Sequence, residues 1–155
     1  MSEIKSPRIH HLGVQTADLD NSLNWYLEFF DAELRWSLDR FSSLTLSRLP
    51  GIRRLVEVGT GDLRFHLFDR DGHNGELPDP HGFQFQHACL QVASPDDLEV
   101  IRRRWTDLYE SGRFSFARPD QPTAIVVDGD GVQSLYLFDV NGLEFEFAYL
   151  PDDHQ

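Results

Sequence analysis

The chain has one cysteine, few basic residues and no long apolar run, and each shortage removes a class of function. Cys89 stands alone among 155 residues, which excludes an internal disulfide and a zinc site built from several thiolates. Lysine and arginine total 14 against 26 aspartates and glutamates, a formal net charge of -12. Nucleic acids and anionic membranes both demand a basic face, so neither is expected as a partner. No stretch approaches the roughly 20 apolar residues of a membrane span. The opening MSEIKSPRIHH has no signal-peptide core, so a cytoplasmic protein is expected. What the chain does have is bulk: hydrophobic residues make up 40%, with 12 phenylalanines. A single domain over residues 1–155 buries about two thirds of its unfolded surface.

Residue periodicity orders the elements. Residues 1–7 read as a disordered lead. Residues 8–15 predict a strand with Ile9, His11, Gly13 and Gln15 on one face and His10, Leu12 and Val14 on the other. Leu23, Tyr26, Leu27 and Phe30 give residues 21–30 a helical period. Strands are expected at 32–38, 53–58 and 63–68, while 39–51 reads as either a short helix or a loop. Residues 70–82, rich in Asp, Gly and Pro, form a linker. Beyond it come a strand at 83–92, a helix opened by Ser94-Pro-Asp-Asp and running to about residue 109, and strands at 113–117, 124–127, 133–138 and 143–149. Nothing is read from the tail after residue 150.

Both halves therefore run strand, helix, then about three strands. HLGVQTA begins at His11 and HACLQVA at His87, each pairing its histidine with Gln four positions on and Ala six positions on. The halves are read as an internal duplication, module one at 8–69 and module two at 83–150.

In the last strand Leu143, Phe145, Phe147 and Tyr149 share one face, and Glu144, Glu146 and Ala148 the other. Aligning the modules on their first histidines puts His66 and Glu146 on corresponding late strands. If helices cover the apolar wall of each sheet, His11, His66, His87 and Glu146 face a common cavity. Imidazole nitrogens and a carboxylate oxygen suit Fe, Mn, Ni or Zn, and two His with one carboxylate is the facial set of non-haem iron oxygenases.

The sequence resembles the vicinal oxygen chelate superfamily, the group of glyoxalase I, extradiol dioxygenases, methylmalonyl-CoA epimerase, fosfomycin-resistance transferases and bleomycin-resistance proteins. The family's opening pattern stands here as HLGVQTADLDNSLNWY from His11 to Tyr26, and its closing signature as FDVNGLEFEF from Phe138 to Phe147. The resemblance implies an α+β fold of paired βαβββ modules, a curved mixed sheet around a metal-binding cup. It also implies a homodimer, with the cup closed either within one chain or across two. His11 and His87 match the ligands of the two modules, and Glu146 the carboxylate of the last strand. His66 departs from the pattern, since glyoxalase I has glutamate there and the epimerases glutamine. Extradiol enzymes use only the other three, which leaves His66 as a weak ligand, an acid-base residue, or a group that touches a ligand or the substrate. Val140 replaces the proline of the closing signature, a change in the turn and not in the ligands.

The function implied is a divalent-metal enzyme acting on a small molecule bound through adjacent oxygens. The first expectation is an extradiol-type dioxygenase with Fe2+ on His11, His87 and Glu146, and with Phe68, Phe85 and Phe138 flanking a planar ring. The alternatives are a glyoxalase-like isomerase or lyase with Ni2+, Zn2+ or Mn2+ on all four residues, and a non-enzymatic drug-binding resistance protein. Tyr136 is either a proton donor to bound oxygen or a core aromatic. Arg64 either binds a substrate carboxylate or neutralises nearby acids. Glu144 reads as solvated, Cys89 as a small packed hydrophobe, and Trp25, Trp36 and Trp105 as packing. His10, His73, His81 and His154 read as solvated.

Overall fold

A computed structural model describes residues 2–73 and 75–152, so His154 lies outside the described residues. These residues fall into two compact units, one reaching residue 74 and one starting at Gly75. The first holds β1 (Leu12–Gln15), α1 (Leu19–Phe29), β2 (Glu33–Leu38), α2 (Ser43–Arg48), β3 (Ile52–Thr60) and β4 (Leu63–Arg70). The second holds β5 (Ala88–Val92), α3 (Pro95–Glu110), β6 (Val126–Val127), β7 (Gln133–Phe138) and β8 (Glu144–Tyr149). Each unit folds around a four-stranded sheet, ordered β1-β4-β3-β2 in the first and β5-β8-β7-β6 in the second. In both, the first strand runs parallel to the last and every other pair is antiparallel. The fold is α+β, and the two units repeat one topology. No helix of the described residues is long and apolar enough to cross a membrane.

In the first unit, Asp18 caps α1 by accepting from the Asn21 N–H at 3.1 Å. Leu19, Leu23, Trp25, Tyr26 and Phe29 then recur at helical spacing and are buried. Trp25 stacks on Phe29 at 4.5 Å, and Tyr26 and Phe30 meet Phe65 of β4 at 5.0 and 4.8 Å. With α1 covering Phe65 and Leu67, the alternate residues Arg64 and His66 take the opposite face of β4.

The second unit repeats the solution with other side chains. Asp97 accepts from the Ser94 N–H at 3.1 Å at the start of α3. Leu98, Trp105 and Leu108 are buried, and the Trp105 indole donates to the Phe138 carbonyl at 2.7 Å. The turn into β8 is held by Asp139, whose Oδ1 accepts from the Asn141 and Leu143 N–H groups at 2.9 and 2.8 Å. Gly142 closes it at φ +82, where a Cβ would also lie 2.5 Å from Leu77 Cδ2.

Several elements are shorter than their periodicity predicts, for want of partners. The ladder of β1 starts at Leu12 opposite Phe65; carried back in the same register, residues 8 and 9 would face the turn at Gly61-Asp62 and have nothing to pair with. Likewise β5 starts at Ala88, opposite Phe145 near the beginning of β8, which leaves Phe83 and Phe85 exposed outside the sheet. Residues 113–117 are not a strand. Phe116 packs on Trp105 and Tyr109, one backbone bond runs from Ala117 to the Val140 carbonyl, and Pro119 and Pro122 follow without N–H donors. Only two residues of 124–127 pair with β7, and part of 39–51 forms the helix α2.

Leu67→Ala and Leu135→Ala, one in each sheet, should each cost about 2–5 kcal/mol of unfolding free energy. Gly142→Ala should cost more than about 1 kcal/mol through its positive φ. Urea unfolding followed by far-UV circular dichroism measures all three.

Candidate metal centre

The parallel strand pairs set the same offset in both units. His66 lies opposite Gly13, two residues after His11, and Glu146 lies opposite Cys89, two residues after His87. Each histidine is thus the diagonal neighbour of the second donor and reaches it on the same sheet face. His11 and His66 stack with centroids 3.6 Å apart and planes 9° from parallel. His87 Nε2 lies 3.3 Å from Glu146 Oε1. The four predicted residues therefore meet in two pairs, one inside each unit.

His10 does not take the place its alternation predicts. It precedes the first ladder pair at Leu12, so strand alternation does not govern it, and its Nδ1 sits 2.9 Å from His11 Nδ1. His10, His11 and His66 each offer a donor atom within 4.8 Å of the others. Arg64 donates to the His10 carbonyl at 3.4 Å, fixing the chain where it enters β1. Trp36 is not simple packing either: it is exposed, and its ring meets His66 edge-on at 4.9 Å.

Glu57 escaped the sequence reading. It pairs with His66 across β3 and β4, and its buried Oε1 lies 3.0 Å from His66 Nε2. Burial pushes the Glu57 carboxyl up, but the His66 hydrogen bond and the charges of His66, Arg35 and Arg64 outweigh it and hold the group below its ordinary range. An ionised carboxylate only accepts, so Nε2 carries the His66 proton and Nδ1 keeps the lone pair in the neutral ring. The signal was a lone acid in the apolar run Leu55-Val-Glu-Val. Burial, with His66 and His10 beside it, lowers the His11 imidazole, which favours the neutral, ligating form.

In the second unit Glu146 is the hub. Burial raises the Tyr136 phenol, and the Glu146 charge and hydrogen bond raise it further, so Tyr136 is a protonated donor held against the carboxylate. Its ring also meets His87 edge-on at 5.4 Å. Gln86 was missed as well: its side-chain carbonyl contacts His87 Nδ1, and its amide donates to Glu144 Oε1 at 2.8 Å. Glu144 is therefore part of a chain that orients His87, not merely solvated. The three phenylalanines expected as aromatic lining differ in their surroundings. Phe85 is exposed, Phe68 is buried, and Phe138 lies under the Arg118 guanidinium at 3.9 Å.

Cys89 also points at Glu146. Burial first, then the hydrogen bond and charge of Glu146, push its thiol up to about 11. In metal-free protein its alkylation should accelerate near pH 11, well above the usual thiol value of about 8.5. Glu146→Gln should move that rise to lower pH, and iodoacetamide kinetics followed by mass spectrometry check both.

No curated protein matches the sequence. Among solved structures, the chain is similar to a glyoxylase/bleomycin resistance protein/dioxygenase domain from Frankia sp. EAN1pec, with 20% identity and a TM-score of 0.74 over 97% of this chain and 96% of that one. It is also similar to a lactoylglutathione lyase from Agrobacterium tumefaciens, at 20% identity and a TM-score of 0.59 over 94% and 96%. A third is the fosfomycin resistance protein FosX from Listeria monocytogenes, complexed with Mn(II) and sulfate ion, at 14% identity and 0.59 over 97% and 98%. Residues 8–147 match the Glyoxalase/Bleomycin resistance protein/Dioxygenase superfamily, and the chain belongs to that family.

Proposed function

We propose that the chain is a divalent-metal-dependent enzyme whose small substrate binds through two adjacent oxygens. The observation that carries this reading is the repeated pair: a histidine at the head of each sheet in contact with a second metal-capable side chain, His66 or Glu146. Imidazole nitrogens and a carboxylate oxygen fit a first-row divalent ion. His11, His66, His87 and Glu146 would hold the ion, which supplies Lewis acidity to a chelated substrate. Around them the chain's own groups act on protons and orientation. Glu57 fixes the His66 tautomer, Gln86 and Glu144 orient His87, and Tyr136 offers a proton beside Glu146. The two units act as one domain in this reading, and the chain works as a homodimer.

Within this class our first reading is ring-cleaving dioxygenation of a catechol-like substrate with Fe2+ on His11, His87 and Glu146, His66 serving in acid-base chemistry. The second is a glyoxalase-like isomerase or lyase with Ni2+, Zn2+ or Mn2+, favoured by the direct stacking of His66 on His11, which makes it available as a fourth ligand. A FosX-like fosfomycin resistance protein with Mn(II) has the same fold at 14% identity, which keeps Mn2+ in this second reading.

Protein purified without chelators should carry about one divalent ion per chain, and metal-free protein would sink the enzymatic reading. Oxygen uptake with a catechol panel by iron-loaded protein supports the dioxygenase. Its absence, with turnover of an α-ketoaldehyde thiol adduct by nickel- or zinc-loaded protein, supports the isomerase. Under either reading His87→Ala and Glu146→Gln should lower kcat by at least about 100-fold, the lower end of what a positioned group contributes.

A further inference from the structure

We propose that a cavity in the second unit, at the C-terminal end of α3, is a separate small-molecule site that takes a planar aromatic carboxylate. Tyr109, Phe114, Phe116, Arg118 and Pro119 line it, and it shares no residue with the group around His87 and Glu146. The site needs no metal and stands independently of the reading above.

The chain builds the cavity by doubling back on its own helix. Gly112, at φ +70, turns the backbone after α3, and the Arg113 N–H donates to Ser111 Oγ at 3.2 Å to hold the turn. Tyr109 stacks on buried Trp105 at 5.2 Å, and Phe116 meets both rings edge-on at 5.3 and 4.9 Å. The Ala117 N–H donates to the Val140 carbonyl at 2.9 Å and ties the returning segment to the turn before β8. Tyr109, Phe114 and Phe116 are left half-buried, with ring surface turned to the opening. The volume is about 420 Å³, inside the roughly 300–1,000 Å³ of ligand pockets. Aromatic walls favour a flat ring, which packs offset or edge-on against them.

Arg118 gives the cavity its charge. Its guanidinium lies 3.9 Å over the Phe138 ring, and its Nε donates to Asp120 at 3.0 Å. Both contacts hold the plane of the group in place. Its two Nη groups have no hydrogen-bond partner among the described residues, and together they form an edge that matches the two oxygens of a carboxylate. A guanidinium already stacked and tethered loses little freedom on binding. Asp120 offsets part of this charge, and Arg113, over Phe114 at 4.9 Å, adds a second cation at the rim. The chain as a whole repels anions at net charge -12, yet residues 101–119, which supply the entire lining, carry five arginines against Asp107 and Glu110. Screening confines the distant acids' influence to about 8–10 Å, so the local surplus decides.

The test follows amide NMR shifts of the isotope-labelled, chelator-stripped full chain during titration with indole-3-acetate, indole-3-acetamide and cyclohexylacetate. Stripping removes any bound metal as a competing carboxylate site. Indole-3-acetate should saturate with a Kd of about 1 mM or tighter, the range open to so small a ligand, and move the amides of residues 109–119. The amide should bind at least about tenfold more weakly, the worth of a hydrogen-bonded charge, and the aliphatic acid about 2–10-fold more weakly for lack of a ring. Arg118→Gln should lose about tenfold for the acid and abolish the preference for acid over amide. Phe114→Ala should weaken both indoles by about 2–10-fold. His87→Ala/Glu146→Gln should bind as wild type does.

The acid–amide contrast in wild type reads the cation with no substitution at all. Equal affinity for the two, shifts centred on His87 and Glu146, or no saturation by about 10 mM would each overturn the aromatic carboxylate site. None of these outcomes touches the metal-dependent reading under Proposed function.

Discussion

In each unit a first strand and a last strand run side by side in the same direction, and the register of that pair decides which side chains meet. His66 stands across from Gly13 and Glu146 across from Cys89, so the offset from His11 and from His87 is two residues in both units. A shift of one residue would turn every side chain of the strand to the opposite face. The register is pinned from the other side of the sheet. Phe65 and Leu67 are locked under α1, and Phe145 and Phe147 are buried likewise. The chemistry of the open face thus depends on the packing of the closed one.

The two units use this frame differently. In the first, the polar face carries imidazoles, and the carboxylate comes from β3, where Glu57 holds a ring instead of standing in the donor position itself. In the second, the carboxylate stands on the last strand with His87 Nε2 3.3 Å away, and it accepts from the Tyr136 hydroxyl and the Cys89 thiol. An acidic chain of net charge -12 concentrates part of its negative charge where histidines, a phenol and an arginine take it up. The two units share one topology and carry different donor sets.

Much of this was legible in the sequence because alternation in a half-buried strand leaves few choices. The faces of β4 and β8 follow from Phe65/Leu67 and Phe145/Phe147 alone, and with them the open side of His66 and Glu146. The helices announced themselves through the period of Leu23, Tyr26, Leu27 and Phe30 and through Ser94-Pro-Asp-Asp. What failed was everything that depends on where a ladder stops. His10 was assigned to the wrong face because alternation was extended past the last paired residue. Phe85 was counted as lining for the same reason. Residues 113–117 read as a strand because Phe114 and Phe116 alternate, yet the Phe116 ring goes to the helix α3. Glu57 and Gln86 were invisible because their value lies in the neighbour they touch across the sheet or along the chain, and composition does not reveal a partner.

The thiol of Cys89 carries a consequence for how the protein ages. Sulfur attacks peroxide, or another chain's sulfur, only as the anion, and here the proton is held against a carboxylate. The chain's sole cysteine is exposed as a residue, yet it stays in the unreactive form at neutral pH. In the metal-free chain the thiolate fraction at neutral pH falls below that of a cysteine at the usual value of about 8.5, and reaction with peroxide or with a second thiol slows in proportion.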